Sequence, residues 1–188
     1  MASEAELDDF LAGVERRAYK SVLYSVRDHH TALDIVQNAM LKLCERYRDK
    51  PAEEWPMLFQ RILHNAIMDH HRRARVRDFW VRLAAPLRDR DDETATESLE
   101  ELASSDESGL GQDPLDSAEG RQVMAAIEAA IAELPLRQRQ AFLLRYWEDM
   151  DVAEVAQVMG CSAGSVKTHS HRAINALVKK LKSKGIEL

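Results

Sequence analysis

Long apolar segments are missing from this chain of 188 residues. No run approaches the roughly 18 consecutive apolar residues that span a bilayer. Met1 is followed by acidic residues, whereas a signal peptide has a basic segment and then an apolar one. The sequence therefore predicts a cytoplasmic protein that is not embedded in a membrane.

Cysteine is almost absent, and the motifs of common enzymes are not found. Cys44 and Cys161 lie far apart with no Cys-x-x-Cys spacing, so the sequence suggests neither a disulfide framework nor a cysteine-based metal site. A metal-dependent enzyme using Cys44 with His64, His70 and His71 is an alternative. However, adjacent histidines on a helix point about 100° apart, and no carboxylate pair accompanies them. We therefore predict surface or DNA-adjacent histidines, no metal or cofactor, no small-molecule substrate and no catalytic activity.

Negative charge is concentrated in one segment. The net charge is +1 for residues 1–83, −9 for residues 84–116 and +2 for residues 117–188. The middle segment also lacks apolar periodicity, a composition typical of chains that cannot bury enough surface to become ordered. We predict an all-α protein in which two small helical domains, 1–83 and 117–188, are joined by a flexible acidic linker, 84–116.

Apolar residues at steps of three and four predict three helices in residues 1–83. The first begins at a capping box formed by Ser3 and Glu6 and ends near Arg27. The second begins at Thr31, and its predicted buried stripe is Leu33, Val36, Met40, Leu43 and Tyr47. The third spans residues 55–77.

The third helix is apolar where it begins and basic where it ends. Six arginines fall between positions 61 and 82. Aromatic residues lie nearby in sequence: Trp55, Phe59, Phe79 and Trp80. Cations interleaved with aromatics suit single-stranded or melting nucleic acid. A solvated basic helix whose aromatics belong to the core is the alternative, because Trp55 and Phe59 lie on the apolar stripe.

A short break at Gly160-Cys161-Ser162 separates two predicted helices in residues 117–188. Glycine can end the first helix in a left-handed conformation, and Ser162 can cap the second. This pattern predicts a helix-turn-helix, although an ordinary helical bundle is the alternative. In the last helix, 163–182, the apolar face leaves polar residues pointing outward: Gly164, Lys167, Thr168, His171, Arg172 and Asn175.

These motifs resemble the bacterial sigma-70 family. Residues 134–146, beginning Leu134-Pro135, followed by Gly160-Cys161-Ser162 and Ser165-Val166-Lys167-Thr168, resemble region 4 of that family. Residues 31–43 and 55–73 resemble region 2. With no domain between the two regions, the chain is similar to the small extracytoplasmic-function subgroup, group IV.

The resemblance implies a sigma factor with a region 2-like bundle of three or four helices and a region 4-like helix-turn-helix. Such a factor binds the beta-prime and beta subunits of core RNA polymerase and promoter DNA, and an anti-sigma factor is a further expected partner. The implied polymerase-binding residues are Asp34, Gln37, Asn38 and Leu41. Those implied to read and melt the minus-ten element are Asn65, Asp69, Arg72 and Arg73. Those implied to read the minus-thirty-five element are Ser165, Lys167, Thr168, His171 and Arg172.

A free-standing transcriptional regulator is the alternative function. It would also use a helix-turn-helix, but it would normally dimerise. It would not need a second basic, aromatic-rich domain.

Overall fold

The computed structural model describes residues 4–84 and 118–186, here called the N-terminal half and the C-terminal half. The predicted cap at Ser3 and nearly all of the predicted linker lie outside the described residues. The described ranges form helices and no strands, which confirms the all-α prediction. The helices are α1 (Glu4–Val26), α2 (His29–Tyr47), α3 (Trp55–Ala84), α4 (Ala118–Ala132), α5 (Leu136–Phe142), α6 (Val152–Met159) and α7 (Ala163–Ser183).

The N-terminal half is a three-helix bundle whose core holds Trp55 and Phe59, each 1% exposed. For these two aromatics, the alternative interpretation that they belong to the core is therefore confirmed. Helix α3 runs to Ala84, beyond the predicted end at residue 77. Its last described turns carry the exposed residues Val76 and Phe79.

Helix α2 corrects one part of the sequence interpretation. It begins at His29, not Thr31, because Asp28 accepts a hydrogen bond from the Thr31 amide at 2.7 Å and caps the helix. Leu33, predicted to be buried, is 44% exposed. The core line of α2 instead consists of Ala32, Ile35, Val36, Ala39 and Leu43.

The C-terminal half has two small apolar clusters. One joins α4, α5 and α7 around Leu134 and Leu177, and the other joins α5, α6 and α7 around Val155 and Val166. Between α5 and α6 the chain makes one π-helical turn, Leu143–Trp147. Helices α6 and α7 pack against each other through the second cluster, which contains Val155 of α6 and Val166 of α7.

The two halves pack against each other. Leu136 lies on the core of the N-terminal half, while Tyr24 and Met57 lie on the two clusters of the C-terminal half. The ring of Tyr24 meets that of Trp147 edge-on, with centroids 6.0 Å apart. Within the described ranges, no helix is both long and apolar enough to cross a membrane.

Candidate functional site

Local capping builds the helix-turn-helix. The Glu154 amide donates to Asp151 Oδ1 at 2.8 Å, and the Asp151 amide donates to Glu154 Oε2 at 2.7 Å, so a reciprocal capping box begins α6. Gly160 ends α6 with φ of +60°, and the Ser165 amide donates to Ser162 Oγ at 3.1 Å where α7 begins. The turn predicted from the sequence is therefore present, with the roles predicted for Gly160 and Ser162.

Helix α7 presents a polar face to solvent. It buries Val166, Ser170, Ala173 and Leu177, as predicted. The residues exposed on the opposite side include Lys167, Thr168, His171 and Arg172. Ser165 is half-buried, and its Oγ lies 2.9 Å from Ser162 Oγ. The structure thus places four of the five predicted minus-thirty-five residues on one open face and the fifth at the helix cap.

Two buried side-chain polar atoms on α7 have no hydrogen-bond partner among the described residues. They are His169 Nδ1 and Ser170 Oγ, both buried. Ser170 lies on the apolar side of the helix and is only 7% exposed. A buried hydroxyl without a partner costs free energy, so α7 is less stable with this residue than with an apolar one.

The predicted polymerase-binding residues share the outer face of α2. Asp34, Gln37, Asn38 and Leu41 are all exposed, with Leu41 59% exposed. A single exposed leucine is ordinary on a protein surface, so the polymerase-binding role of this face stays a prediction from the resemblance.

A groove of about 280 Å³ between α2 and α3 connects two predicted sites. Its lining includes Asp34 and Asn38 from α2, and Asp69 and Arg73 from α3. Arg72 is exposed and forms an ion pair with Asp69 at 3.0 Å, while Asn65 is exposed on the same helix. Two of the four predicted polymerase-binding residues and two of the four predicted minus-ten residues therefore line the same groove.

Buried polar contacts join the two halves, and the sequence analysis missed them. Arg139 donates to the Tyr24 carbonyl at 2.8 Å and to the Ser25 carbonyl at 3.1 Å. Gln140 Nε2 donates to Ser25 Oγ at 2.7 Å, and Gln140 Oε1 lies 3.1 Å from His64 Nδ1. Arg139 and Gln140 lie three and four residues after Leu136 and before Leu143, on the side of the helix that faces the core. These two polar residues in an apolar stripe were the available sequence signal for a buried polar contact.

His64 is a correction to the sequence analysis. It was predicted at the surface or beside DNA, but it is 6% exposed and lies against α5. Burial lowers its pKa; the hydrogen bond with Gln140 opposes this shift, and the charge of Arg137 adds to it. Because Gln140 Nε2 is directed to Ser25, the amide oxygen faces His64, and the proton of neutral His64 lies on Nδ1.

His71, another histidine of this stretch, contacts α1. His71 Nε2 hydrogen-bonds the Ser25 carbonyl at 2.9 Å, and burial lowers the pKa of His71. In the described ranges, no group of three or more His, Cys, Asp or Glu side chains is arranged to hold a metal ion.

Comparison with known proteins gives a family match in the C-terminal half. Residues 124–177 match the model of the family described as sigma-70, region 4. The RNA polymerase sigma-E factor of Streptomyces antibioticus is 36% identical over 72 residues, which are 38% of this chain and 40% of that relative. The chain thus spans less than half the length of that relative.

Two further relatives match along most of the chain. RNA polymerase sigma factor SigV of Bacillus subtilis is 26% identical over 160 residues, covering 85% of this chain and 81% of that protein. The structure of the sigma factor RpoE in complex with the anti-sigma factor NepR, from Bartonella quintana, aligns with a TM-score of 0.59 at 21% identity. That alignment covers 93% of this chain and 96% of that one, and it supports the fold.

The fold and the open face of α7 define a helical protein with a helix-turn-helix. The region 4 match and the relatives confirm the resemblance to sigma-70 family factors. A further relative that is 26% identical over 87% of this chain and 55% of its own length, BldN of Streptomyces coelicolor, is named as an ECF RNA polymerase sigma factor.

Proposed function

We propose that this protein is a sigma factor that binds core RNA polymerase and directs promoter-specific initiation. In this proposal, helix 55–77 reads and melts the minus-ten element, and helix 163–182 reads the minus-thirty-five element. The protein acts in the cytoplasm and has no catalytic activity of its own.

The observation that carries the proposal is the pairing of two open surfaces with different chemistry. The first is the polar face of α7, where Lys167 and Arg172 are exposed at positions suited to a major groove. The second is formed by the exposed side chains of α2 and α3 around the groove between them, with Leu41 on α2 and Arg72 and Arg73 on α3. A free-standing regulator needs only the first surface.

In vitro transcription with purified core polymerase tests the proposal. We expect core polymerase with this protein to produce discrete new start sites that share two upstream elements, and core polymerase alone to produce none of them. Arg172→Ala should reduce starts by removing a cation near phosphate, and Leu41→Ala should reduce polymerase capture. Gln157→Ala, at an exposed position on α6, is the matched control. Duplex DNA binding by the protein alone without new starts would favour the free-standing regulator.

We also propose control by an anti-sigma partner. The support is the Bartonella quintana relative, which was solved in complex with an anti-sigma factor. A pull-down from the native host should recover a regulator in addition to polymerase subunits. Recovery of polymerase alone would contradict this part of the proposal.

A further inference from the structure

A buried histidine lies where the two halves meet. His64 of α3 is 6% exposed, and its Nδ1 lies 3.1 Å from Oε1 of Gln140 on α5. Gln140 also donates from Nε2 to Ser25 Oγ of α1 at 2.7 Å. These three residues, here called the junction, therefore join two helices of the N-terminal half to one of the C-terminal half. Separation of the halves removes Gln140 from the junction and opens His64 to water.

A buried cation lies beside the junction. Arg139 of α5 is 7% exposed. Its guanidinium donates to backbone carbonyls at or just beyond the ends of α1 and α4: those of Tyr24, Ser25, Ala132 and Leu134. The carboxyl ends of helices carry partial negative charge, so these carbonyls compensate Arg139. A second charge buried nearby has no such arrangement of acceptors.

The charges that act on the histidines of this face of α3 are positive. His71 lies two helical turns after His64 on the same face. Its Nε2 hydrogen-bonds the Ser25 carbonyl, which also accepts from Arg139. The charge acting on His64 is that of Arg137, and those acting on His71 are His70, Arg139 and Arg75. A proton added to either histidine therefore joins a set of cations.

Carboxylates near the junction have other partners. Glu128 of α4 accepts from the Tyr24 hydroxyl at 2.9 Å, and Glu148 lies 3.4 Å from Arg17. Helix α2 faces the opposite side of α3, where its Asp34 and Lys42 share the groove with His70 and Arg73. Glu148 titrates in the opposite sense to a buried histidine, because burial raises its pKa.

The sign of the pH effect follows from the burial of His64. Burial lowers its pKa below the ordinary value of 6.5, the hydrogen bond with Gln140 opposes this shift, and the charge of Arg137 adds to it. The separated form therefore takes up the proton more readily than the packed form. Packing that depends on neutral His64 is present above about pH 6.5 and is lost as the pH falls through the lowered pKa.

We propose that His64 makes the packing of the two halves sensitive to acid. Neutral His64 holds α5 against α3 through Gln140. Protonated His64 places an uncompensated charge in the buried junction, beside Arg137 and near Arg139, and so favours separation. One consequence rests on the proposed function: mild acid favours the form in which the two reading helices can reach two promoter elements.

Fluorine NMR of the full chain labelled with fluorotryptophan reports the separation of the halves. Trp147 reports their contact, because its Nε1 donates to the Arg17 carbonyl at 3.4 Å and its ring meets that of Tyr24. Trp55 lies in the core of the N-terminal half and reports unfolding of that half. Trp147→Phe and Trp80→Phe variants assign the signals. A urea titration brings the separated form to measurable populations.

The ratio of separated to packed form is compared at one urea concentration. Between about pH 7.5 and about pH 5.5, protonation of His64 should raise this ratio by up to about tenfold, because the lower value is about one pH unit below 6.5. His64→Gln should lose this part of the rise. His30→Gln, at an exposed position on α2, is the matched control and should keep it. Glu148 is the same in all these chains, so its opposite titration cancels in the comparison.

A second variant leaves the junction intact. Arg137→Gln removes an exposed cation that lowers the pKa of His64, so the rise should be smaller than in the unmodified chain. A rise that is the same in the unmodified chain and in His64→Gln, or undiminished in Arg137→Gln, would overturn the proposal. Trp147 and Trp55 signals that change together at both pH values would also overturn it, since the halves would then not separate before unfolding. The measurement does not involve transcription, so its failure is distinguishable from failure of the proposed function.

Discussion

The contact between Gln140 and the N-terminal half gives a quantitative test of the packed arrangement. Gln140→Ala removes the donation to Ser25 Oγ at 2.7 Å and the contact with His64 Nδ1 at 3.1 Å. Each neutral hydrogen bond contributes about 1 kcal/mol, and a buried donor left without an acceptor costs about 1–3 kcal/mol. Loss of both contacts should weaken the packing of the halves by about 2–3 kcal/mol.

A double-mutant cycle separates this interaction from other effects of the substitution. Gln140→Ala, His64→Ala and the double variant are compared by equilibrium urea unfolding, with Gln157→Ala as the exposed control. Since the two side chains interact directly, we expect a coupling energy of about 1 kcal/mol between them. Small-angle X-ray scattering should show a larger radius of gyration for Gln140→Ala than for the control.

Two results would refute the reasoning. Strictly additive effects of the two substitutions would mean that His64 and Gln140 are not in contact in solution. A scattering curve for Gln140→Ala identical to that of the control, with no loss of stability, would mean that these buried contacts do not hold the halves together.

Three further outcomes follow from individual groups. Ser170→Ala should raise the free energy of unfolding by about 1 kcal/mol, because a buried hydroxyl without a partner is removed; a lower melting temperature would contradict this. Asp151→Ala should lower the free energy of unfolding by about 1 kcal/mol, because the capping box with Glu154 is lost. Thermal denaturation measures this change. Burial lowers the pKa of His64 and His71 below the ordinary value of 6.5. The unfolded chain therefore takes up protons first, and stability present at higher pH should be lost as pH falls below about 6.5. Equal unfolding free energies on both sides of that pH would count against buried, neutral histidines.

The helix-turn-helix could be predicted because its determinants are local. Gly160 and Ser162 fix the turn through backbone conformation and capping, and both act within three residues. The exposed face of α7 then follows from helical periodicity alone. The same logic placed the polar face of α2 correctly, since Asp34 and Asn38 lie off any apolar stripe.

The error at Leu33 has a physical cause. The core line of α2 uses Ala32 and Ala39, each 1% exposed or less, and small residues allow helices to approach closely. A stripe predicted only from large apolar side chains omits these alanines, and it therefore included Leu33, which lies beside the buried line. Alanine at steps of three and four therefore deserves equal weight with leucine in a short bundle.

The contacts between the halves could not be predicted from periodicity. They depend on Tyr24, Ser25 and His64 meeting Arg139 and Gln140 across a large sequence separation. Each is polar, and polar residues are ordinarily expected at the surface. Only the break that Arg139 and Gln140 make in an apolar stripe hinted at a buried partner.

The packed arrangement and the proposed function together require the halves to separate. Met57 of α3 packs on the cluster that includes Val166 of α7, and from Met57 to Arg72 the helix rises about 23 Å. With two helix spacings of roughly 10 Å, the two reading surfaces lie within about 45 Å. Elements about 25 base pairs apart are separated by about 85 Å at roughly 3.4 Å per pair. Residues 84–116, which can span about 110 Å when extended, are long enough to bridge that distance. Opening must then break the polar contacts of Arg139 and Gln140, which water can replace, and must also expose the apolar contacts that Leu136 and Met57 make across the halves.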